Sequence, residues 1–371
     1  MSSEFNFGKA NEKQIEAITT VDGPVLITAG PGTGKTFTLV KRAVYLIQEC
    51  GIKPENIMMA TFTEKAAKEL IARITDELDK NNIEINLNEM YIGTFHSICL
   101  RILKEHLEFT RISNNFRTMD DFDCVYMVYK ELSRFEEIPG INDILSKYGK
   151  PISGKWNRAK RICNVYVQKL SEELINNNDI AKLKNDSNPK IITLGEMLEL
   201  YKTILNETNQ VDFAAIQVET YKLLTNHPII LADIHNKIKY LMIDEYQDTN
   251  YIQERLVFLI GGLHKNICVV GDEDQALYRF RGATVRNILE FQDANELNKI
   301  ECKIIPLVIN YRSNVGIINF YNKWMNSPVD FRFDNFRHEF SSQRAEHPKK
   351  QEHSAHYEQF ICPDRFNEFL F

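Results

Sequence analysis

The stretch Ala29-Gly30-Pro31-Gly32-Thr33-Gly34-Lys35-Thr36 has the G-x-x-x-x-G-K-T spacing of a phosphate-binding loop. It lies between an apolar run at 24–28 and a helical pattern at 37–49, as a strand-loop-helix unit requires. Glycines let backbone N–H groups turn toward phosphate oxygens, and a helix N-terminus adds positive potential there. We therefore expect residues 29–36 to bind a nucleoside triphosphate, with Lys35 on the β- and γ-phosphates and the Thr36 hydroxyl on Mg²⁺. The alternative, a chance glycine-rich turn, is disfavoured by the flanking strand and helix.

A second apolar run ends in two acidic residues, in the segment Tyr240-Leu241-Met242-Ile243-Asp244-Glu245. We expect Asp244 to hold Mg²⁺ through water, and Glu245 to polarise an attacking water as a general base. The alternative is a strand end whose acidic residues only cap the following segment. The phosphate loop favours the catalytic interpretation, because the two motifs belong to one architecture.

Short β-like runs alternate with helical patterns over the first 110 residues and again after residue 226. The predicted strands are at 24–28, 56–61, 90–93, 240–243, 267–270 and 303–308. This alternation predicts an α/β fold, a parallel sheet covered by helices whose ligands bind at the carboxyl ends of the strands. Residues from about 120 to 226 have almost purely helical periodicity, which predicts an inserted all-α subdomain.

The composition is typical of a soluble globular protein of 371 residues, with 43% hydrophobic and 26% charged residues. The net charge of −6 gives no overall basic field for nucleic acid, although a locally basic groove suffices for binding. Seven scattered cysteines without a C-x-x-C pair argue against a zinc site or a disulfide framework. No signal-peptide layout or long apolar stretch is present, so we expect a cytoplasmic protein without a membrane partner.

Two longer segments carry a family resemblance: residues 244–250, with the sequence Asp-Glu-Tyr-Gln-Asp-Thr-Asn, and residues 271–283, from Gly271 to Ala283. They resemble motifs II and III of the UvrD/Rep-type superfamily 1 DNA helicases. The family's other motifs follow in order: the Q motif at 11–14, motif I in the phosphate loop, motif Ia at 60–67, motif Ib at 92–97, the signature Val211-Asp212-Phe213, and motif IV at 307–313. The resemblance extends from residue 11 to about residue 325.

The resemblance implies an ATP site with Mg²⁺ as cofactor and four further side chains around the nucleotide. Gln14 would read the edge of adenine, and Tyr311 would stack on the base. Gln275 would sense the γ-phosphate and couple it to the DNA site. Arg312 would approach the γ-phosphate from a second RecA-like domain, where a cation opposes the charge that shifts during transfer.

For DNA, the resemblance implies base stacking on Phe62, Tyr278 and Phe280. The implied phosphate or backbone partners are Thr63, Thr94, His96 and Arg281. Aromatic faces accept any base, so we expect binding to single strands without sequence preference. Phe62 could instead be a core aromatic, and the basic residues around Trp156 could either grip a strand or form a solvated helix face.

The sequence predicts four segments: a RecA-like ATP-binding domain at 1–110 and 227–300, the helical insertion at 111–226, and the start of a second RecA-like domain with an irregular tail at 301–371. We find no counterpart of motifs V and VI after residue 328, and the stretch after Arg312 is shorter than a whole second domain. We therefore expect a truncated chain that unwinds DNA weakly or not at all.

The function that these observations favour is that of an ATP-dependent DNA helicase or translocase on single-stranded or partly duplex DNA, with a role in DNA repair. The family implies movement in the 3′-to-5′ direction. The alternative is a nucleotide-responsive DNA-binding subunit with weak ATPase activity, serving a nuclease or repair partner in repair or phage defence. The first is an enzyme that couples hydrolysis to movement, whereas the second is a binding module.

Overall fold

The computed structural model describes residues 5–83, 85–147, 150–176, 178–276, 286–294, 300–325 and 343–345. The strands are β1 Val25–Ala29, β2 Ile57–Thr61, β3 Tyr91–Thr94, β4 Arg117–Thr118, β5 Ser146–Lys147, β6 Lys150–Pro151, β7 Gln210–Val211, β8 Tyr240–Ile243, β9 Ile267–Gly271, β10 Lys303–Leu307, β11 Ile309–Asn310 and β12 Arg344–Ala345. The helices are α1 Glu12–Thr19, α2 Lys35–Gln48, α3 Glu64–Lys80, α4 Phe95–Glu105, α5 Asp121–Lys130, α6 Leu132–Glu136, α7 Ile141–Ile144, α8 Lys155–Arg161, α9 Gln168–Glu173, α10 Asp179–Lys184, α11 Pro189–Glu207, α12 Phe213–Asn226, α13 Pro228–Lys237, α14 Tyr251–Gly261, α15 Arg286–Leu289 and α16 Val315–Met325.

A six-stranded sheet in the order β10-β1-β9-β8-β2-β3 is the centre of the fold. Every pairing in it is parallel, so all six carboxyl ends lie at one edge. This confirms the predicted α/β class with a parallel sheet. The motifs that follow β1, β2, β3, β8, β9 and β10 in the sequence are thereby brought to the same edge of the sheet.

The sheet is covered on both faces because side chains of neighbouring residues in a strand point to opposite sides. In β1, Val25, Ile27 and Ala29 pack in one apolar cluster with α2 and α3, whereas Leu26 packs in the other with α4, α12 and α14. Burial of each large aliphatic side chain contributes about 1.5–3 kcal/mol. The site loops at the sheet edge therefore extend from a rigid, two-sided core.

The inserted helical unit has its own apolar core, which draws its buried residues from 119 to 205. The chain enters and leaves this unit through β4 and β7, which pair in parallel. Helix α12 packs with the α/β domain and not with the inserted unit, since Ile216, Leu223 and Leu224 lie in the apolar cluster that covers the main sheet. The segment 111–226 predicted as the insertion thus includes α12, which packs against the main sheet.

The predicted start of a second domain at residue 301 falls just before strand β10, which pairs with the main sheet. Strand β10 pairs with β1 along its whole length, from Val25 opposite Lys303 to Ala29 opposite Leu307. Its inward residues Ile305 and Leu307 are buried in the core of the first domain. A strand with this apolar pattern can complete an existing sheet or open a new one, and the sequence pattern does not distinguish the two.

Among the described residues, none of the helices has both the length and the apolar character that crossing a bilayer requires.

Candidate nucleotide and nucleic-acid site

The phosphate loop forms between β1 and α2, as its sequence predicts. Helix α2 begins at Lys35, and Gly34 precedes it with a left-handed backbone, φ +91°. This conformation favours glycine, and a Cβ atom at Gly34 would also displace Nε2 of Gln14, which would lie only 2.6 Å from it. The Thr33 hydroxyl donates to the Gly30 carbonyl at 2.8 Å and closes the turn. The loop thus leads into the N-terminus of a 14-residue helix, which is the arrangement that binds anionic phosphate.

Lys35 contacts the acidic motif directly. Its Nζ lies 2.8 Å from Oε2 of Glu245, and the Lys35 side chain is 12% exposed. Glu245 has a left-handed backbone, φ +50° and ψ +45°, which is rare for a residue with a side chain. Such conformations persist where the surrounding structure holds them, and they concentrate at functional sites. The motifs after β1 and β8 therefore meet through an ion pair between the two residues that the sequence assigns to phosphate binding and base catalysis.

Gln247 joins this pair to the next strand and was not among the predicted site residues. Its Nε2 donates to Oε2 of Glu245 at 2.8 Å, and its Oε1 accepts from the backbone N–H of Asp272 at 3.1 Å. The residue is 1% exposed. The signal that could have found it is its place in the motif, two residues after Glu245, where a 3₁₀ turn over 246–248 directs the side chain back to the site.

The carboxylates behind Glu245 are buried and unusually basic. Burial raises the pKa of Asp244 to about 6, and the charge of Glu245 acts in the same direction. Burial likewise raises the pKa of Asp248 to about 6, and one of its carboxylate oxygens is buried without a hydrogen-bond partner among the described residues. A nearby cation stabilises the charged form of such a carboxylate, because burying an unpaired charge is unfavourable. Together with the Thr36 hydroxyl, the Asp244 carboxylate is a donor set of the oxygen type that Mg²⁺ prefers.

The predicted adenine-side residues also lie against the loop. Nε2 of Gln14 donates to the Thr33 carbonyl at 3.0 Å, and its Oε1 accepts from the backbone N–H of Asn11. Asn11 donates to the Tyr311 hydroxyl at 2.7 Å, and the Tyr311 N–H donates to the Gly32 carbonyl at 2.8 Å. The Q motif, the phosphate loop and motif IV thus form one cluster. Both polar groups of the Gln14 amide make hydrogen bonds within the chain, so neither is free to bind adenine in this arrangement.

Motif IV reaches the loop from beyond β10. Asn310 donates to the Pro31 carbonyl at 2.8 Å, and its Oδ1 accepts from the backbone N–H of Arg312 at 2.9 Å. A Cβ atom on Gly32 would lie 2.7 Å from Cβ of Arg312, so the Arg312 backbone passes next to the loop. The Arg312 side chain therefore starts beside the phosphate loop and is exposed.

Gln343 is a further loop neighbour that the sequence did not indicate. It is 7% exposed, and its Oε1 accepts from Asn310 at 2.8 Å. Its Nε2 occupies the space that a Cβ atom on Gly30 would need. No motif surrounds Gln343, so only the folded chain shows that it lies at the loop.

Gln275 lies at the end of β9, two strands away from β2. Its Nε2 donates to Oδ2 of Asp272 at 2.5 Å, and burial raises the pKa of that aspartate. Oδ2 of Asp272 would lie 3.7 Å from a Cβ atom on Gly30. The structure therefore connects Gln275 to the phosphate loop through one carboxylate.

Four predicted DNA residues lie together where β2 and β3 end. Phe62 is half-buried, and its ring meets that of buried Phe95 edge-on at 6.3 Å. The hydroxyls of Thr63 and Thr94 cap helices α3 and α4 by accepting from backbone N–H groups. Burial lowers the pKa of His96 to about 4, so the ring is neutral at physiological pH. Tyr278, Phe280 and Arg281 lie outside the described residues.

The fold and this site define a P-loop protein with a RecA-like α/β domain and an all-α insertion. A family model described as the UvrD/REP helicase N-terminal domain matches residues 10–296. The chain belongs to this family. It is 36% identical over 313 residues to an ATP-dependent DNA helicase PcrA of Staphylococcus epidermidis, covering 84% of this chain and 39% of that protein. A PcrA of Staphylococcus aureus is 35% identical over the same shares. The chain thus spans about two fifths of the length of these relatives.

Proposed function

We propose that the chain binds and hydrolyses ATP in a DNA-dependent manner, as the nucleotide-binding part of a DNA helicase or translocase. The observation that carries the proposal is the 2.8 Å contact between Lys35 and Glu245, which joins the phosphate loop to the acidic motif at the sheet edge. The names of the PcrA relatives agree with ATP as the nucleotide and DNA as the partner.

In the proposed reaction, ATP attracts Lys35 away from Glu245 toward the β- and γ-phosphates. Glu245 is then free to accept a proton from a water molecule as that water attacks the γ-phosphorus and the bond to ADP breaks. Mg²⁺, held by Thr36 and Asp244, would neutralise charge on the phosphates. Gln247 keeps the Glu245 carboxylate in place while its lysine partner leaves. Arg312 adds a cation beside the loop.

On the DNA side, we propose that single strands bind across the carboxyl ends of β2 and β3, with Phe62 as a stacking surface. Thr61 of β2 and Thr94 of β3 are paired in register, so the segments that follow them begin side by side. We further propose 3′-to-5′ movement and a role in DNA repair, by analogy with the family.

The test compares wild type with Lys35→Ala and Glu245→Gln, and uses Glu207→Gln as a control. Glu207 is a surface residue paired with Arg134, far along the chain from the site. We expect Lys35→Ala to weaken ATP binding, Glu245→Gln to retain binding but lose hydrolysis, and the control to behave as wild type. Equal hydrolysis by wild type and Glu245→Gln would contradict the proposed base. Strong DNA binding without measurable hydrolysis in wild type would favour the alternative of a nucleotide-responsive binding subunit.

A further inference from the structure

The inserted helical unit carries a cluster of exposed aromatic rings that its core does not explain. Phe122, Tyr126 and Tyr129 follow one face of α5, and Trp156 from the first turn of α8 lies against them. Their exposed fractions are 64%, 42%, 38% and 38%. The opposite face of α5 already supplies buried residues to the core of the unit. We refer to Phe122, Tyr126, Tyr129 and Trp156 as the ring patch.

The rings are ordered relative to one another. Phe122 and Tyr126 are 6.2 Å apart between centroids and 8° from parallel, and Tyr126 and Tyr129 are 6.4 Å apart and 14° from parallel. Trp156 lies 5.7 Å from both Phe122 and Tyr129. The three helix rings therefore have nearly parallel faces along one line. A contiguous exposed apolar surface of this kind is typical of a binding site.

The charges around the ring patch favour an anionic partner. Nζ of Lys130 lies 4.7 Å from the centre of the Tyr126 ring. Lys155 and Lys160 on α8 are exposed, and neither makes an ion pair within the part of the chain that the structure describes. Each would add a positive charge beside the rings.

The neighbouring carboxylates are largely neutralised within the unit. Asp123 on α5 pairs with Arg117 at 2.9 Å, and Glu136 pairs with Arg158 at 3.2 Å. Asp120, which caps α5, and Asp121 in its first turn remain as exposed carboxylates, both at the opposite end of the helix from Lys130. The lysines therefore set the local sign of the charge over most of the ring patch.

We propose that the ring patch is a stacking site for the bases of single-stranded DNA, separate from the ends of β2 and β3. The proposal rests on the proposed function, which makes DNA the partner. Aromatic faces stack on any base, and nearby lysines bind the backbone phosphates. Lysine is depleted from the centres of protein–protein interfaces, so unpaired lysines beside exposed rings favour nucleic acid over a protein partner.

The test measures binding of oligo(dT) to wild type and to the triple variant Phe122→Ala/Tyr126→Ala/Trp156→Ala at one fixed salt concentration. Ile229→Ala is the matched control, because Ile229 is an apolar side chain that is 87% exposed in α13. We expect the triple variant to bind about tenfold or more weakly, since each lost stacking contact contributes measurably to affinity. ATP hydrolysis without DNA and the melting temperature should remain those of wild type.

A second readout reports stacking itself. The chain has two tryptophans, Trp156 and Trp324, so Trp324→Phe leaves Trp156 as the single reporter. We expect oligo(dT) to quench its fluorescence. If the triple variant binds with unchanged affinity, or if Trp156 fluorescence is not quenched while wild type still binds DNA, the ring patch is not a stacking site. The proposed function would stand in either case. Loss of self-association in the variant with unchanged DNA binding would make the patch a protein contact and also overturn it. A wild-type chain that does not bind DNA would overturn the proposed function as well.

Discussion

Replacing Gln247 with methionine tests whether the buried amide positions Glu245, the proposed catalytic base. The structure gives this side chain two hydrogen bonds, one to the Glu245 carboxylate and one from the Asp272 N–H. A Cβ atom on Gly271 would lie 2.5 Å from Oε1 of Gln247, so the site is tightly closed. Methionine fills a similar volume but makes neither bond, and a replacement water has little room.

The expected cost of Gln247→Met has two parts. Loss of a hydrogen bond to a charged group costs about 1.5–3 kcal/mol, and the unsatisfied Asp272 N–H costs about 1–3 kcal/mol. We therefore expect the free energy of unfolding to fall by about 3–5 kcal/mol. Glu245 would keep Lys35 but lose its second tether, and a small displacement of a catalytic group lowers turnover by about 10- to 100-fold. The KM for ATP should change little, because the phosphate loop is intact.

The assay combines thermal denaturation with steady-state ATP hydrolysis. Gln217→Met is the matched control: Gln217 is fully buried, and in the part of the chain that the structure describes neither polar atom of its amide has a hydrogen-bond partner. The control should leave stability unchanged or raise it, because it removes an unsatisfied amide from the core. Turnover of Gln247→Met within about twofold of wild type, with stability reduced as expected, would refute the positioning role. Gln247 would then serve the fold only.

Three further predictions concern other parts of the chain. Burial raises the pKa of Glu172 from 4.5 to about 7 in the folded protein. Between these pH values the folded state binds more protons than the unfolded state, so the free energy of unfolding should fall by about 1.4 kcal/mol for each pH unit that the pH rises. Glu172→Gln should abolish this part of the pH dependence of urea unfolding, and an unchanged pH profile would contradict the assignment. Gly34→Ala should weaken nucleotide binding, because alanine is strained at φ +91° and its Cβ would displace the Gln14 amide from the Thr33 carbonyl. Gly23→Ala, also at positive φ but with no described atom within 4 Å of its Cβ, should cost only about 1–2 kcal/mol of stability and leave binding unchanged. Equal binding by both variants in a fluorescent-nucleotide titration would contradict the role of Gly34. Tyr201→Phe should lower stability by about 1.5–3 kcal/mol in chemical denaturation, because the Tyr201 hydroxyl donates to a buried aspartate at 2.6 Å, and no loss would contradict a strong bond.

Local chemistry made the phosphate loop and the acidic strand end predictable from the sequence. The glycine spacing and the residue types at Lys35 and Glu245 indicate these motifs without any tertiary information. The structure places Nζ of Lys35 2.8 Å from Oε2 of Glu245. The parallel sheet was predictable for a similar reason, because strand and helix periodicities alternate along the chain.

Features that depend on partners distant in the sequence were not predictable. Gln343 lies at Gly30 although no motif surrounds it. Strand β10 has the same apolar pattern whether it opens a new sheet or pairs with β1, and only its pairing shows which. The capping roles of Thr63 and Thr94 were hidden behind the motif resemblance, although a threonine before a helix is a recognised capping signal.

The most direct test of the account is the rate of ATP hydrolysis by this chain as oligo(dT) is added, measured for wild type and Glu245→Gln at saturating ATP and Mg²⁺. We predict that DNA raises the wild-type rate about tenfold or more, and that Glu245→Gln shows no comparable increase while it still binds both ligands. A wild-type rate that does not respond to bound DNA, or an equal response in Glu245→Gln, would contradict the coupling of this nucleotide site to DNA.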